Sequence, residues 1–593
     1  MLEFIALNMA PIMFGSLILF LILGYPVAFA LAANGLLFFV VGVELAPMSG
    51  GAINLSWPLL SAMPDRIWAQ VLANDTLLAI PFFTFMGIVL EKSGMAEDLL
   101  DTIGQLFGPI RGGLAYAVVI VGALLAATTG VVAASVIAMG LISLPIMLRY
   151  GYDRSVASGV ITASGTLAQI IPPSLVLIVL ADQLGRSVGD MYAGALVPSL
   201  VLTGCYILYI FIMSIVRPNS MPALPLEART LGTGVMSLAV ITVFGVAVFF
   251  AAENLIDTSH GKNSEMMAFT VAVVVCYVIA LTDRKLKLNR MSKLAQQVII
   301  VLVPPLALIF LVLGTIFLGI ATPTEGGAMG ATGSLLLALA KGRLNMQVLK
   351  DALASTTRLS AFVMFILIGA RFFSLTFYGV NGHLWVEHLL TSLPGGQTGF
   401  LIVVALLVFF LAFFLDYFEL AFIIVPLLAP AADALGIDLI WFGVILAVMM
   451  QTSFMHPPFG FALFFLRSVA PKAAYADRIT GQTIEPVKTS QIYWGAVPFL
   501  GIQIAMVVAV IAFPQMVMHY KGKPVDVSNV TLTLPSTPGL GGFDAGLGGG
   551  LGGGLGLPPI GGAPGAASGA APAIPALPDL STPPVIPAPS GNN

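Results

Sequence analysis

Long stretches without a charged side chain dominate this chain, and they are mostly of the length that crosses a membrane. About 20 apolar residues span a bilayer as helix, and runs of that order cover roughly 12–43, 76–92, 113–148, 155–181, 191–216, 233–252, 266–282, 296–340, 359–380, 398–435, 439–466 and 491–513. Several are too long for one crossing. Gly113 to Leu148 is 36 uncharged residues, about 54 Å as helix against a hydrocarbon core of about 30 Å. That run must break, and Thr128-Thr129-Gly130 supplies hydroxyls and a flexible glycine near its centre. The runs 155–181 and 439–466 carry Pro172-Pro173 and Pro457-Pro458. A double proline removes two backbone donors and is expected to interrupt a helix.

The interruptions repeat. Pro145, Gly151, Asp153 and Pro172-Pro173 recur as Pro430, Gly436, Asp438 and Pro457-Pro458 at one offset of 285 residues. Upstream, "RGGLAYAVV" has a counterpart in "PGGQTGFLIVV", and "GYPVAFALAANG" loosely echoes "GIATPTEGGAMG". We read two structural repeats, 1–215 and 295–515. Between them, 216–294 adds two extra spans and a basic loop, and 516–593 is a Gly/Pro-rich tail with too few large apolar residues to pack. Irregular backbone at membrane depth is tolerated where it is buried or lines a cavity. Paired breaks in two halves are the best sequence pointer to a transporter's binding site. The loop holding Arg284, Lys285, Lys287, Arg290 and Lys293 is the densest positive segment and belongs in the cytoplasm. Lys341, Arg343 and Lys350 join it there if 296–340 crosses twice. The first apolar run lacks a basic leader and a small-residue cleavage site, and reads as a retained membrane segment.

Composition agrees: 58% of residues are hydrophobic and only 9% charged, where soluble chains carry roughly 25% charged. A net charge of −3 points to no nucleic acid. Cys205 and Cys276 both sit in apolar runs, which argues against a disulfide framework or a cysteine metal site. No Walker A sequence encodes ATP hydrolysis, and no Cys/His cluster has zinc spacing. An intramembrane hydrolase would need Ser164 or Asp416 to have a partner that the sequence does not supply. No enzyme is expected.

Few polar residues stand inside the apolar runs. Asp416 and Glu419, three apart in "FFLDYFELAF", would share a helix face. They read either as a pair at a helix end reaching headgroups or a partner, or as a cation- or proton-linked site at a polar hairpin tip. Thr322-x-x-Glu325 has capping-box spacing. Arg371 either snorkels to the interface or pairs with a substrate carboxylate. His456, directly before the second double proline, is either a satisfied membrane histidine or a proton sensor.

With these motifs in hand, the chain resembles the large membrane subunit (DctM type) of tripartite ATP-independent periplasmic, or TRAP, transporters. The resemblance rests on "GYPVAFAL", "IPFFTFMGIVLEKSGM", "GPIRGGLAYAVVIVGALLA", "ITASGTLAQIIPPS", "GIATPTEGGAMG", "FFLD", "ALGIDLIWFGV" and "HPPFGFALF", in order over most of 1–215 and 295–515. "FLDYFELAFIIVPLLAP" and "MMQTSFMHPPFGFALFFLRSVAP" are similar to the mannitol/chloroaromatic branch. It implies an all-α polytopic protein of the bacterial inner membrane, with two inverted repeats, re-entrant hairpins and broken helices working as an elevator. It implies import of a small organic acid, a carboxylate or oxo acid, coupled to sodium or, alternatively, to protons, with no other cofactor. Its implied partners are a small four-helix membrane subunit and a periplasmic substrate-binding protein. A self-sufficient carrier of the divalent-anion type is the alternative. Carried over, one sodium site uses Thr129 with backbone at Ala168, Ile171 and Pro173, and the other uses the 412–416 tip with Ser453 and His456. The chain departs from the common pattern at Val131 and Val132, and at Ser453-x-x-His456, where relatives commonly have Gly-x-x-Thr.

Overall fold

The computed structural model describes residues 2–521 apart from 233, 256–261, 414 and 478, and leaves out the side chains of 128, 129, 262–264 and 266. Most of the predicted tail therefore lies outside the described residues. The remainder is helical, with one two-stranded β-ribbon. Nine of the described helices are long and apolar enough to cross a membrane, or eleven if two bent pairs each count as one span. The protein is a multi-pass membrane protein.

The first half comprises α1 (Met9–Ile22), α2 (Val27–Leu45), α3 (Asp75–Lys92), the amphipathic α4 (Met95–Phe107), α5 (Gly113–Thr129), α6 (Val132–Arg149), α7 (Arg154–Thr166), α8 (Leu175–Gln183) and α9 (Val188–Val216). The apolar run 12–43 is two helices. Gly24 (φ +81°) and Pro26 turn the chain between them. The run from Gly113 breaks at Gly130 (φ +59°) into α5 and α6. Next come the extra pair α10 (Val235–Leu255) and α11 (Lys262–Lys285).

The second half comprises α12 (Lys293–Phe317), α13 (Pro323–Ala340), α14 (Met346–Gly379), α15 (Gly382–Thr391), α16 (Gly396–Leu411), α17 (Tyr417–Ala434), α18 (Leu439–Ser453), α19 (Phe461–Val469), the ribbon β1 (Tyr475–Ala476) and β2 (Thr483–Ile484), and α20 (Thr489–Ala512). Pro304-Pro305 lies inside the continuous helix α12. A double proline alone therefore does not break a helix in this protein.

Hydrogen bonds sort the chain ends onto two faces. Both ends of the α5–α6 hairpin are tied to one segment: Gly112 N–H donates to the Met221 carbonyl (3.0 Å) and Asp153 N–H to that of Ser220 (2.9 Å). Ser292 Oγ donates to the Gly234 carbonyl (3.1 Å). Arg149, at the end of α6, pairs with Asp477 in the ribbon at 2.9 Å. This face carries the basic 284–293 loop and is termed the inner face, the side that the positive-inside rule gives to such a loop. Because α12 leaves it and α13 returns, Lys341 and Arg343 lie on it as well, where both pair with Asp98 of α4.

The opposite face gathers the other ends. Asn74 Nδ2 donates to Asp182 Oδ1 at 2.7 Å, Asn381 Nδ2 to the Ala52 carbonyl at 3.1 Å, and Gln397 Nε2 to the Leu435 carbonyl at 2.8 Å. Lys521 pairs with Asp438 there. The α16–α17 hairpin thus enters from the outer side and α5–α6 from the inner. The last described residues stand on the outer face.

Close backbone approach fixes α7 against α20. A Cβ built on Gly159 would lie 2.0 Å from the Gly495 carbonyl oxygen, and one on Gly495 equally near that of Ser155. Small residues at helix crossings provide such contact where lipid supplies no hydrophobic drive between helices.

Candidate functional site

Each half begins its broken helix in the same way. Gly151 (φ +80°) and Gly436 (φ +70°) turn the chain. Asp153 and Asp438 then cap α7 and α18, each accepting two backbone N–H groups at 2.9 and 3.1 Å. The helices end at Thr166 and Ser453, shortly before Pro172-Pro173 and Pro457-Pro458, both cis.

The two interruptions meet. Gln451 Nε2 donates to Thr166 Oγ1 at 3.2 Å, and these positions are themselves 285 residues apart. Gln503 Nε2 of α20 lies 3.3 Å from the same hydroxyl and 2.9 Å from Tyr206 Oη of α9. Thr166, Gln451, Gln503 and Tyr206 are fully buried. A buried polar group without a partner costs about 1–3 kcal/mol, so a shared contact at membrane depth holds the halves in register. Nothing in the apolar patterning singled out these glutamines. Their only sequence signal is an uncharged polar side chain within a long apolar run.

The surroundings of the two breaks differ. Pro172 and Pro173 are buried, whereas Pro457 is half-buried and Pro458 exposed. At the first break no turn or side-chain donor among the described residues takes the carbonyls of Ala168, Ile171 or Pro173, and both amide atoms of buried Gln169 lack a partner. At the second, Gly460 N–H donates to the His456 carbonyl (2.5 Å), Tyr493 Oη to that of Pro458 (3.4 Å), and Ser453 Oγ to that of Met450 (2.5 Å).

Each hairpin tip rests on the break of its own half. A Cβ on Gly130 would lie 3.1 Å from Leu175 Cγ, the first residue after the first break. The Thr128 and Thr129 side chains lie outside the described residues. At the second tip, Phe413 stacks on the His456 ring with centroids 4.5 Å apart and planes within 4°, while Phe409 meets it edge-on at 4.2 Å. His456 is 1% exposed, and neither ring nitrogen has a hydrogen-bond partner among the described residues.

Asp416 and Glu419 do not share a helix face as expected. Asp416 is the extended residue before α17 (φ −76°, ψ 176°), and the two form a capping box. Glu419 N–H donates to Asp416 Oδ1 and Asp416 N–H to Glu419 Oε2, both at 2.9 Å. The spacing Asp-x-x-Glu encodes this box as Thr322-x-x-Glu325 does.

Thr322 and Glu325 do form the expected box, starting α13 on the outer face, where both are exposed. They are not part of the buried cluster. Arg371 on α14 is half-buried beside an outer-face cavity of about 410 Å³, lined also by Asp182, Arg186, Ser374, Tyr378 and Asp433. Arg186 and Asp433 approach to 3.8 Å. Arg371 forms no hydrogen bond or ion pair within bonding distance among the described residues, and the nearby Asp182 carboxylate is the charge that acts on it. The Arg149–Asp477 pair on the inner face was not anticipated. Hydrogen bonds led by the Thr480 N–H, and opposed by burial, hold the Asp477 carboxyl down at about 2. Among the described residues no group of three His, Cys, Asp or Glu side chains is arranged to hold a metal.

Residues 14–516 match the family model "Tripartite ATP-independent periplasmic transporter, DctM component". The C4-dicarboxylate TRAP transporter large permease protein DctM of Pseudomonas aeruginosa is 27% identical over 66% of this chain and 77% of its own length. The Rhodobacter capsulatus protein of the same name is 27% identical over 77% and 89%. The ectoine TRAP transporter large permease protein TeaC of Halomonas elongata is 23% identical over 86% and 99%. Among solved structures, the Alcanivorax borkumensis YdaH transporter aligns with a TM-score of 0.46 at 13% identity, covering 82% of this chain and 98% of that one. The paired breaks, the hairpin tips resting on them and the family match over most of the chain agree: this protein belongs to the DctM component family of tripartite ATP-independent periplasmic transporters, as the large permease subunit of a secondary transporter.

Proposed function

We propose that the protein imports a small organic acid, driven by a sodium gradient, as an elevator with two repeats (1–215 and 295–515). A small four-helix membrane subunit and a periplasmic binding protein complete the system. The observation that carries this reading is that each hairpin tip rests on the break of its own half, while the helices leading into the two breaks are joined at Thr166 and Gln451. Coordinating oxygens at membrane depth, flanked by flexible backbone, suit a hard cation such as sodium. At the first break the carbonyls of Ala168, Ile171 and Pro173, with Thr129, are the proposed ligands.

The acid is inferred from the cavity of about 410 Å³ beside Arg371, which opens outward, where a binding protein would deliver its cargo. A guanidinium fork matches a carboxylate in geometry as well as charge. Relatives named for C4-dicarboxylates support an acid of this size. The insertion 216–294 and the tail are assigned no part in transport.

The test is uptake of a panel of radiolabelled mono- and dicarboxylates into proteoliposomes, with each partner omitted in turn. Uptake of at least one acid should require both the binding protein and the small subunit. Full uptake by the chain alone would favour the self-sufficient carrier instead.

A further inference from the structure

We infer that the second hairpin closes on a neutral histidine rather than on an alkali cation, so that the chain binds one coupling cation, in its first half. The inference rests on the sodium-coupled reading above and narrows it.

The two halves share one architecture, so a difference at equivalent positions is informative. Ala168, Ile171 and Pro173 correspond at the 285-residue offset to Ser453, His456 and Pro458. In the first half these carbonyls are unclaimed, and buried Gln169 adds an amide oxygen and nitrogen without partners. A cation that sheds its water needs oxygens of this kind.

In the second half two of the three equivalent carbonyls, those of His456 and Pro458, accept a hydrogen bond. Gly460 N–H takes the His456 carbonyl, Tyr493 Oη that of Pro458, and Ser453 Oγ is turned back onto the Met450 carbonyl. One oxygen of each tip carboxylate is engaged as well, Asp416 Oδ1 and Glu419 Oε2 each accepting the other residue's N–H. His456 fills the space left between break and tip, pressed on Phe413 and edge-on to Phe409. Face-on and edge-on contacts of this geometry are favourable between neutral rings, and they leave no room between break and tip for an ion. Aromatic packing therefore does at the second tip what ion coordination does at the first.

The purified full-length chain, with its small subunit where that co-purifies, is titrated with ²²Na⁺ alone to read the number of ions bound per chain. One ion is expected for the native protein. Two are expected for His456→Thr, which restores a hydroxyl and frees the space of the ring. His456→Asn, bringing a carbonyl oxygen at smaller size, provides the same gain should the threonine variant not assemble. Two ions on the native protein, or one on the folded variants, would overturn the inference and leave sodium coupling intact. No ion on the native protein would overturn sodium coupling itself.

Discussion

Replacing Asp416 separates two roles that a membrane carboxylate combines. A charge near mid-membrane costs at least about 2.5–3.5 kcal/mol on insertion scales, so Asp416 is retained for a reason. The capping box supplies one: its Oδ1 takes the Glu419 N–H at 2.9 Å, and its own N–H is taken by Glu419. Asparagine caps a helix about as well as aspartate, whereas alanine loses about 1 kcal/mol. With RT near 0.59 kcal/mol, that loss shifts the ordered tip against its frayed form by about fivefold. Asp416→Asn should therefore transport within about twofold of the native protein, and Asp416→Ala should lose about fivefold in uptake at limiting substrate. Both are measured in proteoliposomes at equal protein content. If asparagine were as damaging as alanine, the charge itself would be required, and the tip would belong to the ion-binding machinery after all.

Three further outcomes follow from the geometry. Gly495→Ala should cost about 1–3 kcal/mol, since its new Cβ would lie 2.0 Å from the Ser155 carbonyl and neither backbone can retreat. Gly501→Ala on the same helix, with nothing within 4 Å of its Cβ, is the matched control in a thermal-stability assay. Arg371→Gln should raise the KM for the acid about tenfold or more, the loss of a charge-assisted hydrogen bond of about 1.5–3 kcal/mol, with Arg371→Lys in between; an unchanged KM would place the carboxylate elsewhere. The Asp477 carboxyl is depressed in the folded protein to about 2 from the ordinary 3.8. Its contribution is present above the unfolded value and is lost as pH falls through the folded one. Asp477→Asn should thus lower thermal stability equally across pH 5–8 and reduce the difference from native only in acid; a difference that changes between pH 5 and 8 would refute that assignment.

Apolar run length, together with the 285-residue repeat, made most of the fold legible, because a bilayer imposes its thickness on every helix and the repeat marks corresponding breaks. Run length alone did not locate the short turns. The 12–43 run held two helices, since Gly24 and Pro26 bend the chain without adding a charge. Double prolines were an incomplete signal, as α12 carries Pro304-Pro305 without breaking. The site was less legible. His456 and Ser453 were recognised by their place before Pro457-Pro458, but the stacking partner Phe413 is one aromatic among many in "FFLAFFLDYF". The Thr166–Gln451–Gln503–Tyr206 cluster draws on four separate helices, and only tertiary packing brings them together. Asp416 and Glu419 were noticed for their charge, although their three-residue spacing already spelled a helix start.

The most direct test of the account is the driving force. Proteoliposomes containing the chain and its small subunit, with binding protein and labelled acid outside, are given an inward sodium gradient at equal pH and zero membrane potential. Uptake above the equilibrium level is expected, and it should collapse when a sodium ionophore dissipates the gradient. Accumulation that ignores the direction of the sodium gradient would contradict sodium coupling.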